Sequence, residues 1–286
     1  MIAWLRSIPF RTRIGILGAA AVVPSAALLA IGPIPQDPAY HAFADGRTIL
    51  GIPNFGDVVT NLPFVIVGLM GMVLVRKAVF RDPAERRILA AVFGALALTG
   101  IGSAWYHWAP DNARLVWDRA PLAVMLTGFL ACVAAERIDA RGGARWALPL
   151  MAFGAGSVFY WGWTESRGAG DLRLYVMAQF LVIALVLLVA FLFPPRYSRT
   201  GDLLLAAAAY AGAKAGEALD RPILELTGFA SGHTLKHLLA AAAAALLLAM
   251  VLRRRPRPLT DPLPRCSPGP LAGPSTPAAP CGSRPA

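Results

Sequence analysis

The chain is poor in charge: 15% of its 286 residues are charged, against 57% hydrophobic. That balance excludes an ordinary soluble globule and points to a polytopic membrane protein. Cysteine is scarce. Cys132 lies in an apolar stretch, Cys266 and Cys281 lie near the C-terminus, and no CxxC pair occurs. A disulfide framework and a thiolate zinc site are therefore both excluded. No stretch alternates apolar and polar residues over strand length, which excludes a membrane barrel. No internal repeat is visible. Histidine is rare as well, with 4 in the chain.

The sequence does contain long runs of Ala, Leu, Val and Gly, long enough to cross a hydrocarbon core as helices. Eight are visible, at about 14–31, 57–75, 88–108, 120–135, 146–163, 174–193, 203–219 and 234–252. The fold class expected is all-α: a polytopic membrane helix bundle with a seven-helix core and one N-terminal helix. Residues 1–32 form that N-terminal transmembrane helix or signal anchor. A secretory signal peptide is the alternative, although no clear Ala-x-Ala site precedes Pro33. Residues 33–56 form an outer loop, 57–253 the core, and 254–286 a disordered Pro-rich cytoplasmic tail.

The net charge of +11 raises the question of nucleic acid. The placement of the basic residues answers it. They gather at span ends in alternate loops: Arg6, Arg11 and Arg13; Arg76, Lys77, Arg81, Arg86 and Arg87; Arg137, Arg141 and Arg145; Arg196 and Arg199; Arg253, Arg254, Arg255 and Arg257. The opposite loops hold Arg47, Arg114, Arg119, Arg167, Arg173 and Arg221. This is the positive-inside pattern, with both termini cytoplasmic and no nucleic-acid partner.

Against that apolar background two polar motifs stand out. Ser103-Ala-Trp-Tyr-His107 closes the third span, and His233-Thr-Leu-Lys-His237 opens the eighth. Each pair lies four residues apart, hence on one helix face. Asp118 begins the fourth span. The expected topology brings all five to the outer face at similar depth. One at a time, such residues are ordinarily interfacial or packing groups. Together, ionisable groups within a membrane are costly and mark function. Three neutral imidazoles can form the protein side of a four-coordinate zinc site with one position open. Asp118 can then accept a proton from water or orient a ligand histidine. Ser103 can hydrogen-bond the water or a developing oxyanion, or itself ligate.

The runs Gly102-Ser103-Ala-Trp-Tyr-His107, Asp118-Arg-Ala-Pro121 and Gly232-His233-Thr-Leu-Lys-His237 resemble those of the alkaline ceramidases. That family belongs to a seven-helix membrane superfamily with the adiponectin and progestin receptor group. The resemblance extends from about Tyr40 to Leu252. It implies an integral membrane amide hydrolase that splits ceramide into a sphingoid base and a fatty acid. It also implies zinc on His107, His233 and His237, with Ser103 and Asp118 beside the metal water. Family members often hold calcium before the first core helix. Here Asp45, Asn54 and Asp57 are the candidate ligands, although the usual acidic cluster is absent. Calcium takes six to eight oxygens, so carbonyls would have to complete the shell. The alternative is a loop in which Asp45 pairs with Arg47.

Other polar residues carry less. Lys214 and Glu217, three apart, suit an ion pair along one helix face. Trp161 and Trp163 read as interfacial anchors and Glu165 as solvated. His41, in the outer loop, belongs to no spacing motif and is not counted as a ligand. The expected partner is a lipid with an N-acyl amide, reached from within the bilayer. Two other classes share these residues: a receptor-like or structural zinc protein without turnover, and a transporter or proton relay.

Overall fold

In a bilayer, backbone N–H and C=O groups have only one another as partners, so each apolar run closes into a helix. The computed structural model describes residues 8–257. Nine helices occur among the described residues: α1 (Phe10–Ala30), α2 (Phe55–Lys77), α3 (Pro83–Trp108), α4 (Asn112–Arg137), α5 (Ala140–Glu165), α6 (Arg173–Leu192), α7 (Thr200–Ala218), α8 (Asp220–Thr227) and α9 (Gly232–Arg253). There is no strand among those residues. Six of the helices, α1 to α4, α6 and α9, are long and apolar enough to cross a membrane. α5 and α7 cover the two other expected spans.

Side-chain caps set several starts. Asp82, Asp111, Asp139 and Ser231 accept from backbone N–H groups at the starts of α3, α4, α5 and α9, at 2.7, 2.7, 2.6 and 3.0 Å. Each cap satisfies a donor that the first turn leaves without a partner. α6 widens into a π-turn at Met177–Leu181.

Small residues let the helices approach closely. A Cβ at Gly102 would run into the Trp117 carbonyl, and one at Gly232 into the Gly216 carbonyl. The first contact brings α3 against α4 beside Ser103, and the second brings α9 against α7 beside His233. α1 lies outside this core, with no buried residue. It is held by an edge-to-face contact of Phe10 with Phe193 and by Arg173, which donates to the Leu29 and Ile31 carbonyls.

At one end of the bundle α3, α4 and α9 converge on a buried ionic cluster. Arg254 donates to Glu136 at 2.7 Å and stands 3.7 Å from Glu85, which accepts from the Tyr197 hydroxyl at 2.6 Å. Arg137 donates to the carbonyls of Ala190 and Phe193 at 3.0 and 3.2 Å. Arg137 and Arg254, loop charges by their place in the sequence, are both buried. A desolvated guanidinium needs acceptors, and the converging helix ends supply them. Arg255 and Arg257 pair with the backbone at Ser198 and Arg196, so the expected tail begins as an ordered strip. Its remainder, residues 258–286, lies outside the described residues.

Candidate metal centre

The opposite ends of the same three helices carry the polar motifs. His107, near the end of α3, meets His233 and His237 from the first turns of α9. All three are buried. Their ring centroids form a near-equilateral triangle with sides of 4.8, 4.9 and 4.9 Å. One ligand nitrogen from each lies within 4.8 Å of the others. This is the one His/Cys/Asp/Glu group among the described residues disposed to hold a metal ion.

The local fold explains the convergence. Asp57 and Asp220 flank the start of α9. Asp57 Oδ1 accepts from the Thr234 hydroxyl at 2.8 Å, and Asp220 Oδ1 accepts from the His233 N–H at 2.8 Å. Carboxylates at a helix N-terminus complement its exposed N–H groups and dipole. The other Asp220 oxygen accepts from Ala44 N–H at 2.9 Å, which ties the loop before α2 to α9.

The ring nitrogens have distinct surroundings. His237 Nδ1 lies 3.1 Å from Thr60 Oγ1, whose own proton goes to the Gly56 carbonyl at 2.7 Å. Thr60 therefore accepts from Nδ1–H and leaves His237 Nε2 free to ligate. His107 Nε2 and His233 Nε2 face each other at 3.3 Å. Two nitrogens bound tetrahedrally at about 2.0–2.1 Å from one ion stand about 3.3–3.4 Å apart, the same spacing. The donor set and its spacing thus fit a metal ion.

Ser103 and Asp118 fall where the motifs suggested. Both line a cavity of about 180 Å³ together with His237. The close approach of Gly102 to Trp117 and Asp118 sets Ser103 beside Asp118. Away from that polar end the walls are apolar, with Leu122, Phe129, Val186 and Leu247 among them.

The candidate calcium ligands have other partners. Arg47 donates to both oxygens of Asp45, at 2.8 and 2.7 Å, and this guanidinium holds the Asp45 carboxyl below its ordinary range. Asn54 donates to the His107 carbonyl at 2.8 Å. Asp57 anchors α9. The Arg47 guanidinium thus occupies both Asp45 oxygens, whereas Asp57 Oδ2 has no hydrogen-bond partner.

Other residues complete the surroundings of the site. Phe43 packs on His107 and His233, with centroids 4.7 and 4.6 Å away. His41 bridges the Tyr106 hydroxyl and the Asn112 side chain, each at 2.9 Å. Thr60 contacts the His237 ring, and Asp220 holds the backbone N–H of His233. Lys236 lies 3.0 Å from His233 Nε2 and 2.8 Å from Glu217 Oε1, and Glu217 also accepts from Lys214 at 2.5 Å. The Lys214–Glu217 pair is thus present, with a second lysine joined to it. Arg119 is buried over the rings of Tyr40, Trp161 and Tyr175. The Gly next to each motif, Gly102 and Gly232, was the available signal for tight packing there.

No protein-family model, curated protein or solved structure matches this chain.

Proposed function

We propose that this protein is a zinc-dependent amide hydrolase of the membrane, acting on ceramide or a similar N-acyl lipid. In this reading α2 to α7 and α9 form the seven-helix core, and the histidine end faces outward. Both termini are then cytoplasmic, by the positive-inside pattern of the loops.

The observation that carries the reading is one cavity lined by three chemistries: a metal-competent histidine, Ser103 with Asp118, and an apolar wall. Three neutral imidazoles and an open fourth position are the donor set of catalytic zinc sites. Zinc held there supplies a Lewis acid and a water made acidic enough to attack at neutral pH. Asp118 takes the proton of the attacking water on a carboxylate oxygen. It then delivers that proton to the departing amine nitrogen. Ser103 offers its hydroxyl to the carbonyl oxygen as charge develops there. The apolar wall receives the acyl chain, so the amide reaches the site without leaving the bilayer.

A relay across the membrane fits less well. Between His237 and Arg253, α9 contains only Leu, Ala, Met and Val. The stretch of α3 between Arg87 and Ser103 offers one hydroxyl, Thr99, and it bonds the Ala95 carbonyl at 2.9 Å.

The test is incubation of purified, zinc-loaded protein with a mixed N-acyl lipid extract, read by mass spectrometry. Release of paired amines and fatty acids is expected, and Asp118→Asn should abolish it while retaining metal. Absence of hydrolysis across a broad panel would remove the hydrolase reading.

A further inference from the structure

The polar end of the cavity holds more cationic hydrogen-bonding capacity than its own residues use. Lys214, Glu217 and Lys236 all line it. Glu217 bridges the two lysines across α7 and α9, at 2.5 and 2.8 Å. An ammonium group has three donors. Lys214 gives one to Glu217; its other contact among the described residues is with the Phe180 ring, 5.4 Å from the centroid. Lys236 gives one donor to Glu217 and directs one at His233 Nε2. That second donor is freed whenever the nitrogen ligates a metal. Several charged donors therefore face the cavity without an acceptor.

Charged groups crowd this end. Two cations, Lys214 and Lys236, and two carboxylates, Glu217 and Asp118, line this end. Arg119 stands directly behind it, buried against Tyr40 and Tyr175, which line the same cavity. Its Nη1 has no hydrogen-bond partner. Asp57, bonded to Thr234 two residues from Lys236, brings a third carboxylate to these three cations, and a bound metal would tip that balance to positive. Desolvated cations with spare donors are stabilised by an anion that accepts several hydrogen bonds.

We infer that Lys214 and Lys236 form an anionic-headgroup subsite, and that the preferred ligands are N-acyl amino acids. The acyl chain lies along the apolar wall and the free carboxylate lies between the two ammonium groups. This rests on the N-acyl hydrolase reading for the position of the amide, but it makes a separate claim about binding. Glu217 keeps the two lysines at a fixed spacing, and the Tyr40 hydroxyl, 3.4 Å from Glu217 Oε1, closes the subsite from the loop before α2.

The test uses the purified full chain with its metal retained, in neutral detergent, and binding is read in the cold before turnover. N-oleoylglycine and N-oleoylethanolamine, which differ in carrying a carboxylate or a hydroxyl, compete against a fluorescent acyl probe. The carboxylate ligand should bind about tenfold tighter or more, the scale of one charge-assisted hydrogen bond. Lys214→Met and Lys236→Met should each remove most of that preference, and Lys214→Arg should retain part of it. Circular dichroism and affinity for the neutral ligand report whether the variants fold. Equal affinity of the two ligands for the unaltered protein overturns the subsite. So does a carboxylate preference that survives both Met substitutions. Hydrolysis of neutral N-acyl lipids without carboxylate preference would remove the subsite and leave the hydrolase. Carboxylate preference without hydrolysis of any lipid would do the reverse.

Discussion

His107 Nε2 and His233 Nε2 lie 3.3 Å apart, although 126 positions separate the two residues in the chain. Neither helix brings them together alone. α3 is held to α4 at Gly102, and the start of α9 is held by Asp57 and Asp220. The metal centre is thus a product of the packing around it, and changes remote from the imidazoles should be felt there.

Thr60 provides the most direct such change. Its hydroxyl accepts from His237 Nδ1 and fixes which ring nitrogen is free. Thr60→Val keeps the shape and removes the acceptor. Loss of a partner of this kind typically costs 10–100-fold in metal affinity. Competition with a chromophoric chelator should show a decrease of about that size, and unchanged affinity would show that Thr60 does not orient the ligand.

Gly102 tests the helix contact. An alanine methyl group there would meet the Trp117 carbonyl, so α3 and α4 must separate beside Ser103 and Asp118. Overpacking of this kind costs about 1–3 kcal/mol. Gly102→Ala should lower the midpoint of unfolding in detergent, whereas Gly156→Ala, in open space on α5, should not. Equal behaviour of the two variants would mean that the α3–α4 approach is looser than described.

The ionic cluster at the other end of α3, α4 and α9 makes a third prediction. Arg254→Met leaves the buried carboxyl of Glu85 without its guanidinium and Glu136 with only that of Arg137, at 3.8 Å. Breaking a buried pair by removing one partner costs about 3–5 kcal/mol. Reversible unfolding in mixed micelles should show that loss, and adding Glu136→Gln should restore part of it. Additive effects would indicate that the two residues do not interact.

The loop before α2 should respond to acid through Asp45. Arg47 holds that carboxyl below its ordinary range. A depressed folded value stabilises the loop above the unfolded pKa, and the contribution is lost as pH falls through the folded value, below about 3.9. Proteolysis of residues 33–54 should therefore accelerate in strong acid. Asp45→Asn should be cleaved faster at neutral pH and respond less to acid. A variant as resistant as the parent at pH 7 would remove the pair from the account.

Local patterns were legible in the sequence; partnerships between distant helices were not. His233 and His237 declare a shared face by their spacing, and the apolar runs correspond closely to α1–α7 and α9. Arg254 sits in a run of basic residues that reads as solvated, and only the fold discloses Glu136 and Glu85 beneath it. Lys236 likewise reads as an ordinary helix charge until Glu217 meets it from α7. His41 carries no motif because its partners, Tyr106 and Asn112, lie 65 and 71 residues away. Asp57 reads as a carboxylate in the region expected for calcium, and only the fold shows its Oδ1 engaged by Thr234, 177 residues on.

The central claim is that His107, His233 and His237 hold one zinc ion, and X-ray absorption at the zinc edge on purified protein tests it most directly. The account predicts about one zinc per chain with imidazole scattering from three nitrogens at about 2.0–2.1 Å. Alanine at any one of the three positions should cause most of the metal to be lost. Protein that is zinc-free after purification and fails to take up zinc, or that retains it fully in His233→Ala, would contradict the claim.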